Sequence, residues 1–142
     1  MKSAENRSNC PISSSLDIFG DKWSLLIVRD LMLHETRSYG DFTKSAEKIA
    51  TNILANRLQV LEENGIIIKL PYPDNKAKGL YRLSPKGVDL IPALIEIALW
   101  GGKHLPGSDD KSLFLKEVKK NKPAFLKKIM NKLSKIDHSN VR

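Results

Sequence analysis

Ile49-Ala50-Thr51-Asn52-Ile53-Leu54-Ala55-Asn56-Arg57-Leu58-Gln59-Val60-Leu61-Glu62-Glu63-Asn64-Gly65 is the stretch that decides how this chain folds. Leu54, Leu58 and Leu61 recur at i, i+4 and i+7, which places them on one narrow stripe of an amphipathic helix. At about 100° per residue, Asn52, Ala55, Asn56 and Gln59 fall on the opposite side. That side is small and amide-rich, whereas an ordinary solvated helix face carries charge. Asn and Gln side chains both donate and accept, so they can meet the edge of adenine bidentately in a major groove. A helix that is apolar behind, amide-bearing in front and ended by Gly65 has the pattern of a recognition helix.

The segments on either side extend this reading. Cys10-Pro11 opens a short helix carrying Ile12, Leu16 and Phe19, stopped by Gly20. Asp21 can cap a second helix, in which Trp23, Leu26, Ile27 and Leu31 keep helical spacing. Thr36-Arg37-Ser38 reads as a turn with Ser38 as a cap, and Tyr39 to Lys44 as a short third helix with Phe42 inward. After Gly65, Ile66-Ile67-Ile68-Lys69-Leu70 is β-branched and apolar, hence a strand. Pro71 to Gly79 reads as a polar loop, and Leu80-Tyr81-Arg82-Leu83 as the returning strand. Three helices and a hairpin with a basic loop, in that order, predict a winged helix-turn-helix. The fold class is therefore α+β, mostly α.

Ser84-Pro85 restarts a helix that runs to about His104, with Pro92 kinking or breaking it. Leu94, Ile95, Ile97, Ala98, Leu99 and Trp100 make it apolar nearly all the way round, so it needs cover on more than one side. A second subunit supplies that cover most cheaply, which predicts a dimerisation helix; the alternative is the central core helix of a monomer. Residues 10–106 are expected to form the winged domain and 107–142 a helical tail. In the tail, Ser108-Asp109-Asp110 resembles a helix start, Leu113, Phe114 and Val118 mark one amphipathic helix, and Pro123 opens another. The second helix sets Phe125, Leu126, Ile129, Met130, Leu133 and Ile136 on one face and Lys127, Lys128, Lys132 and Lys135 on the others. Those lysines suit DNA phosphates or an anionic membrane surface; as a packed accessory pair they would simply face water.

Composition narrows the classes. The chain has 142 residues and a net charge of +8, which suits a polyanionic partner. Residues 1–106 carry 14 Lys+Arg against 12 Asp+Glu, and residues 107–142 carry 10 against 4. DNA binding by the front part would therefore rest on positioned groups, not on a global field. A single cysteine excludes an intramolecular disulfide framework and a multi-cysteine zinc site. The polar N-terminus and the lack of an apolar run near roughly 20 residues give the expectation of a cytoplasmic protein with no membrane partner.

At this point the residues resemble a family. Cys10-Pro11-Ile12 and Gly20-Asp21-Lys22-Trp23-Ser24-Leu25-Leu26-Ile27-Val28-Arg29-Asp30-Leu31 are similar to the start of HxlR-type bacterial transcription regulators. Arg37-Ser38-Tyr39-Gly40-Asp41-Phe42 resembles their third-helix motif, and residues 49–58 their recognition helix. Tyr81-Arg82-Leu83-Ser84-Pro85-Lys86-Gly87 resembles the end of their wing and the start of their dimer helix, and Trp100-Gly101 closes the pattern. The resemblance spans about residues 10–106 in order. It implies a homodimeric winged-helix DNA-binding protein related to MarR-type regulators, usually acting on a neighbouring promoter and expected here to be a repressor. The wing departs from the family: many members have a Pro-Pro-Arg run where this chain has Lys76-Ala77-Lys78-Gly79.

Site residues follow by chemistry. Thr51, Asn52, Asn56 and Gln59 are the candidate base readers. Arg57, at the edge of the buried stripe, reaches a phosphate or braces the wing. Arg37 and Ser38, opening the third helix, are placed to hold a phosphate, and Lys76 and Lys78 to reach the minor groove or its flanking phosphates. Ile12 and Leu16, with Leu94, Ile95, Ile97, Ala98, Leu99 and Trp100, are the expected dimer contact. Cys10 precedes a helix start, which favours thiolate, with Lys2 and Arg7 near in sequence. The resemblance implies that such a cysteine senses disulfide stress or electrophiles in some members; otherwise it is a small packing residue.

Enzyme chemistry has little support. His34, His104 and His138 have no Ser, Cys or carboxylate partner at a familiar spacing, and there is no Gly-rich phosphate loop or metal motif. No cofactor is expected. The competing class is an architectural protein that binds nucleic acid without sequence choice, whose mark would be basic charge on the DNA face.

Overall fold

The computed structural model describes residues 7–72, 75–105, 107 and 113–135, and the side chains of 72–78 and Leu113 lie outside what is described. The chain divides into two compact units, Met1–Ser84 and Pro85–Arg142.

In the first unit α1 (Pro11–Phe19) leads to α2 (Ser24–His34), a short strand β1 (Arg37–Ser38), α3 (Tyr39–Thr43), α4 (Thr51–Glu63) and the strands β2 (Ile67–Tyr72) and β3 (Asn75–Leu83). Asp21 caps α2 as expected: its carboxylate accepts from the Trp23 and Ser24 amides, both at 2.9 Å, and from Ser24 Oγ at 2.6 Å. Such bonds satisfy amides that a helix start leaves without partners. The expected stripe Leu54, Leu58 and Leu61 is buried, together with Val28 and Leu31 of α2, Phe42 of α3 and Ile67 and Leu83 of the hairpin. α4 starts at Thr51, two residues later than the apolar pattern suggests, and closes in a Schellman motif. The Ile66 amide bonds the Leu61 carbonyl at 2.9 Å and the Gly65 amide that of Glu62 at 3.0 Å. Gly65 takes φ of 74°, a left-handed conformation that costs a residue with Cβ about 1 kcal/mol or more.

The sheet differs from expectation in two places. Arg37-Ser38 is not a turn but an edge strand, pairing antiparallel with β3 through Arg37↔Tyr81 and Ser38↔Leu80. Two residues are too few for an alternating pattern to show in the sequence. The hairpin is also longer than expected. β2 continues through Pro71 and Tyr72 and β3 begins at Asn75, with an irregularity between Pro71 and Tyr72, so most of the anticipated loop is strand. Pro71 has no amide to donate, and the break in register falls beside it. The sheet order is β1-β3-β2.

The second unit holds α5 (Pro85–Val88), α6 (Ile91–His104), α7 (Leu113–Lys120) and α8 (Lys122–Ser134). The break anticipated at Pro92 falls just before it, at Asp89-Leu90, and leaves Pro92 in the first turn of α6, where its missing amide costs nothing. Asn121 caps α8 by accepting from the Ala124 amide at 3.1 Å. α7 and α8 pack on each other and on α6, burying Leu115, Val118, Phe125 and Leu133. The tail thus supplies part of the cover that α6 needs. Ser108-Asp109-Asp110 and Ile136 lie outside the described residues. Among those described, no helix is long and apolar enough to cross a membrane.

Candidate nucleic-acid interface

Helices α3 and α4 are fixed to each other and to α2 by polar contacts that the apolar pattern does not reveal. The Tyr39 hydroxyl donates to the Thr51 carbonyl at 2.6 Å, tying α3 to the first turn of α4. Arg29 of α2 donates to both oxygens of Glu47, at 2.7 and 2.9 Å, and to Asp30 at 2.9 Å. Asp30 is buried and also accepts from Ser45 Oγ at 2.6 Å. Ser45 and Glu47 lie in the turn between α3 and α4, so this network holds the turn that sets the angle of α4. Ser84 Oγ bonds the carbonyls of Gly65 and Ile66, linking the end of β3 to the exit of α4.

These contacts hold several carboxyls below their ordinary range. For Glu47 the largest cause is the Arg29 hydrogen bond, which outweighs burial. For Asp41 it is the Ser38 amide. For Asp21, burial raises the value, but bonds from Ser24 and Trp23 and the charge of Arg57 bring it below the usual one. The Glu47 bond and the Asp30 carboxylate raise Arg29 further, against desolvation. A carboxyl held low in the folded state adds stability that is complete above its unfolded value, about pH 4, and is lost as pH falls through the folded value. Urea unfolding should therefore give constant stability from about pH 7 to 5 and a decline below about 4. Glu47→Gln should cost about 1 kcal/mol or less at pH 7, since both side chains are partly exposed, and should converge on the parent at low pH. Parallel pH profiles would show that Glu47 plays no part in the acid response.

On the outer side of α4, Thr51, Asn52, Asn56 and Gln59 are exposed. Two of the amides are already oriented. Arg57 Nε and Nη2 donate to Asn56 Oδ1 at 3.0 and 2.5 Å, so Asn56 presents its NH2 with its carbonyl engaged. Gln59 Nε2 donates to Glu63 at 3.0 Å. Arg57 itself departs from expectation. Nη1 reaches Asp21 at 3.2 Å, so the side chain braces the corner between α1 and α2, not the wing.

Ser38 is also corrected. It is buried, its Oγ accepts from the Asp41 amide and its own amide donates to Asp41, a reciprocal capping box that starts α3. The hydroxyl expected at a phosphate is spent on the helix start. Arg37 is half-buried beside it, with Nε buried and making no hydrogen bond. The side chains of Lys76 and Lys78 lie outside the described residues.

Sequence reasoning did not single out Tyr39, Arg29 or Glu47. Asp21 carried a capping signal by residue type, but a tyrosine bonding a carbonyl twelve residues on leaves none.

The residues expected at a dimer contact separate into three groups. Ile12 and Leu16 on α1, and Ile97 and Trp100 on α6, are exposed, Ile97 at 54% and Trp100 at 58%. Leu94, Ala98 and Leu99 are half-buried. Ile95 is fully buried, so it belongs to the core and not to an exposed surface. Cys10 is exposed at the start of α1. Arg7 pairs with Asp17 at 2.7 Å and donates to the Ser13 carbonyl. Lys2 lies outside the described residues.

A helix pair joined by a braced turn, an exposed second helix and a flanking antiparallel hairpin define a winged helix-turn-helix protein. The chain belongs to the HxlR-like helix-turn-helix family, whose model matches residues 18–109, a span that runs across both units. An uncharacterized HTH-type transcriptional regulator of Mycobacterium tuberculosis, Rv3095, is 30% identical over 95 residues, covering 67% of this chain but only 59% of that protein. Among solved structures, that of PA1607, a candidate transcription factor, matches with a TM-score of 0.65 at 39% identity, over 76% of this chain and 74% of that one. The reduced form of the transcriptional regulator YodB from Bacillus subtilis matches with a TM-score of 0.57 at 27% identity, over 70% and 97%; quinone-bound YodB matches as well.

Proposed function

We propose that this protein is a transcription regulator that binds double-stranded DNA as a homodimer, reading a pseudo-palindromic operator with one α4 per half-site. The observation that carries the reading is the exposed amide face of α4, set opposite a fully buried leucine stripe. Asn52, Asn56 and Gln59 are the base readers, with Thr51 beside them. Arg37 and the wing lysines Lys76 and Lys78 meet phosphates or the minor groove. Arg57 works from behind, holding Asn56 and the α1–α2 corner. The winged domain is taken as residues 10–106, with 107–142 as its tail, and the cytoplasm as its place of work. The reading is non-enzymatic.

A two-fold protein places its half-sites about one helical turn apart. A footprint upstream of the protein's own gene should be bounded and symmetric. Asn52→Ala should weaken operator binding by about 1–3 kcal/mol and relax preference at one base pair per half-site. Equal losses on operator and random DNA would remove Asn52 from the base readers.

We further propose that Cys10 tunes this activity. It is exposed, and the chain is similar to YodB, which is known in reduced and quinone-bound forms. A quinone adds to the thiolate sulfur as a Michaelis acceptor, forming a C–S bond and becoming a hydroquinone adduct without any external oxidant. In the same assay, quinone should lower operator affinity of the parent and leave Cys10→Ser unchanged. Unchanged binding by protein shown by mass spectrometry to carry the adduct would leave Cys10 without a sensing role.

A further inference from the structure

Across residues 113–135, which hold α7 and α8, the chain carries eight lysines and one acidic residue, Glu117. The rest of the chain up to residue 106 is nearly balanced, so most of the basic excess is concentrated here. Solubility is served by mixed signs; a field of one sign repels itself and is relieved by a polyanion. On α7, Lys116, Lys119 and Lys120 share a face by their spacing, and on α8 so do Lys128, Lys132 and Lys135. Lys128 bonds Glu117 at 2.9 Å, which joins the two stripes across the helix pair. Most of the apolar surface is already used: Leu115, Val118, Phe125 and Leu133 are buried, Phe114, Leu126, Ile129 and Met130 are half-buried, and none of the large exposed apolar residues lies on either helix. An amphipathic helix enters a lipid surface with its apolar face, and here no large apolar side chain of that face is exposed. What remains outward is charge without greasy anchors, which fits a phosphate backbone.

We propose that the α7–α8 pair is a second, sequence-independent DNA surface that grips backbone phosphates outside the bases read by α4. The inference rests on the DNA-binding reading above.

The test compares the full chain on two duplexes: the footprinted operator alone, and the operator extended by about one helical turn of random sequence on each side. Affinity is measured by anisotropy across a salt series. The parent should bind the extended duplex about tenfold more tightly, with a steeper salt dependence, since each phosphate contact adds about 0.9 to the slope. Lys116→Gln/Lys120→Gln/Lys132→Gln/Lys135→Gln should bind both duplexes alike while keeping its affinity for the short one and its melting temperature. Glu117→Gln removes the one acidic group and should widen the preference for the extended duplex. A quadruple variant that keeps the full preference, or a parent that shows none, overturns the proposal. So does a parent that binds phosphatidylserine vesicles with the same lysine dependence but ignores duplex length. If no bounded operator exists, the comparison is made on random duplexes of the two lengths. Lysine-dependent length preference there would uphold the tail surface while overturning the operator reading.

Discussion

Ile97→Glu/Trp100→Glu is expected to sediment as a monomer of 16.0 kDa, where the parent, as the proposed dimer, should sediment at about 32 kDa, twice the chain mass. The same variant should lose operator affinity by about 100-fold or more, because a tethered second half-site contributes through effective concentration that a monomer forfeits. The argument begins with burial. α6 is apolar on most of its circumference, and α7 and α8 cover one side of it, with Ile95 in the core beneath. Ile97 and Trp100 stay more than half exposed. Burying side chains of this size stabilises by about 1.5–3 kcal/mol each, so two protomers that share such a surface have a strong reason to meet. Placing carboxylates there sets like charges against each other across a two-fold and strands them in an apolar contact. Because both positions are exposed in the single chain, the substitutions should leave its melting behaviour nearly unchanged in any experiment where the dimer is already dilute enough to dissociate. A parent that sediments at 16.0 kDa at micromolar concentration and still binds its operator fully would overturn the dimer.

The helices were legible in the sequence because each buries one stripe: Leu54, Leu58 and Leu61 fixed α4, and the caps at Asp21 and Ser38 were readable from residue type alone. The break near Pro92 followed from proline's missing amide. What escaped was short or non-local. β1 is two residues long, and its reason for being a strand is Tyr81 and Leu80 on β3, more than forty positions away. Arg57 looked outward because arginine on a helix edge usually does; its partner Asp21 is 36 residues earlier and is itself a cap. Ser38 drew two readings, cap and phosphate contact, and one hydroxyl satisfied the helix first. Ile95 was placed with its apolar neighbours on α6, and only the packing of the tail separates the residue that faces inward from those that face out. In the candidate site, residue type and face were therefore visible, and the hydrogen-bond partners that orient the side chains were not.

Phe42→Ala should cost about 3–5 kcal/mol, among the largest single-residue losses available in the first unit. Phe42 is 1% exposed on α3, and its ring lies 6.2 Å from that of Tyr81 on β3, tilted by 59°. That geometry is a favourable aromatic arrangement, which adds about 0.5–1.5 kcal/mol to the area term. The pair also joins the helix-turn-helix to the hairpin at the place where β1 pairs with β3, so one cavity loosens three elements at once. Total stabilities of domains run to about 5–15 kcal/mol, and a loss of this size removes a large part of that. Phe42→Leu keeps most of the volume and should cost under about 1.5 kcal/mol. Urea unfolding of the three proteins should shift the midpoint in the order parent, Leu, Ala, with the slope unchanged, as for a pure stability effect. The folded Phe42→Leu protein then separates packing from function. With the ring contact gone and the fold kept, the hairpin loses one of its ties to α3 while the β1–β3 pairing and its packing on α2 and α4 remain, and the wing–phosphate contacts proposed above should weaken while base preference at the half-sites stays. An Ala variant that unfolds at the same midpoint as the parent would show that Phe42 packs against little, and that the tie between helix and hairpin lies elsewhere.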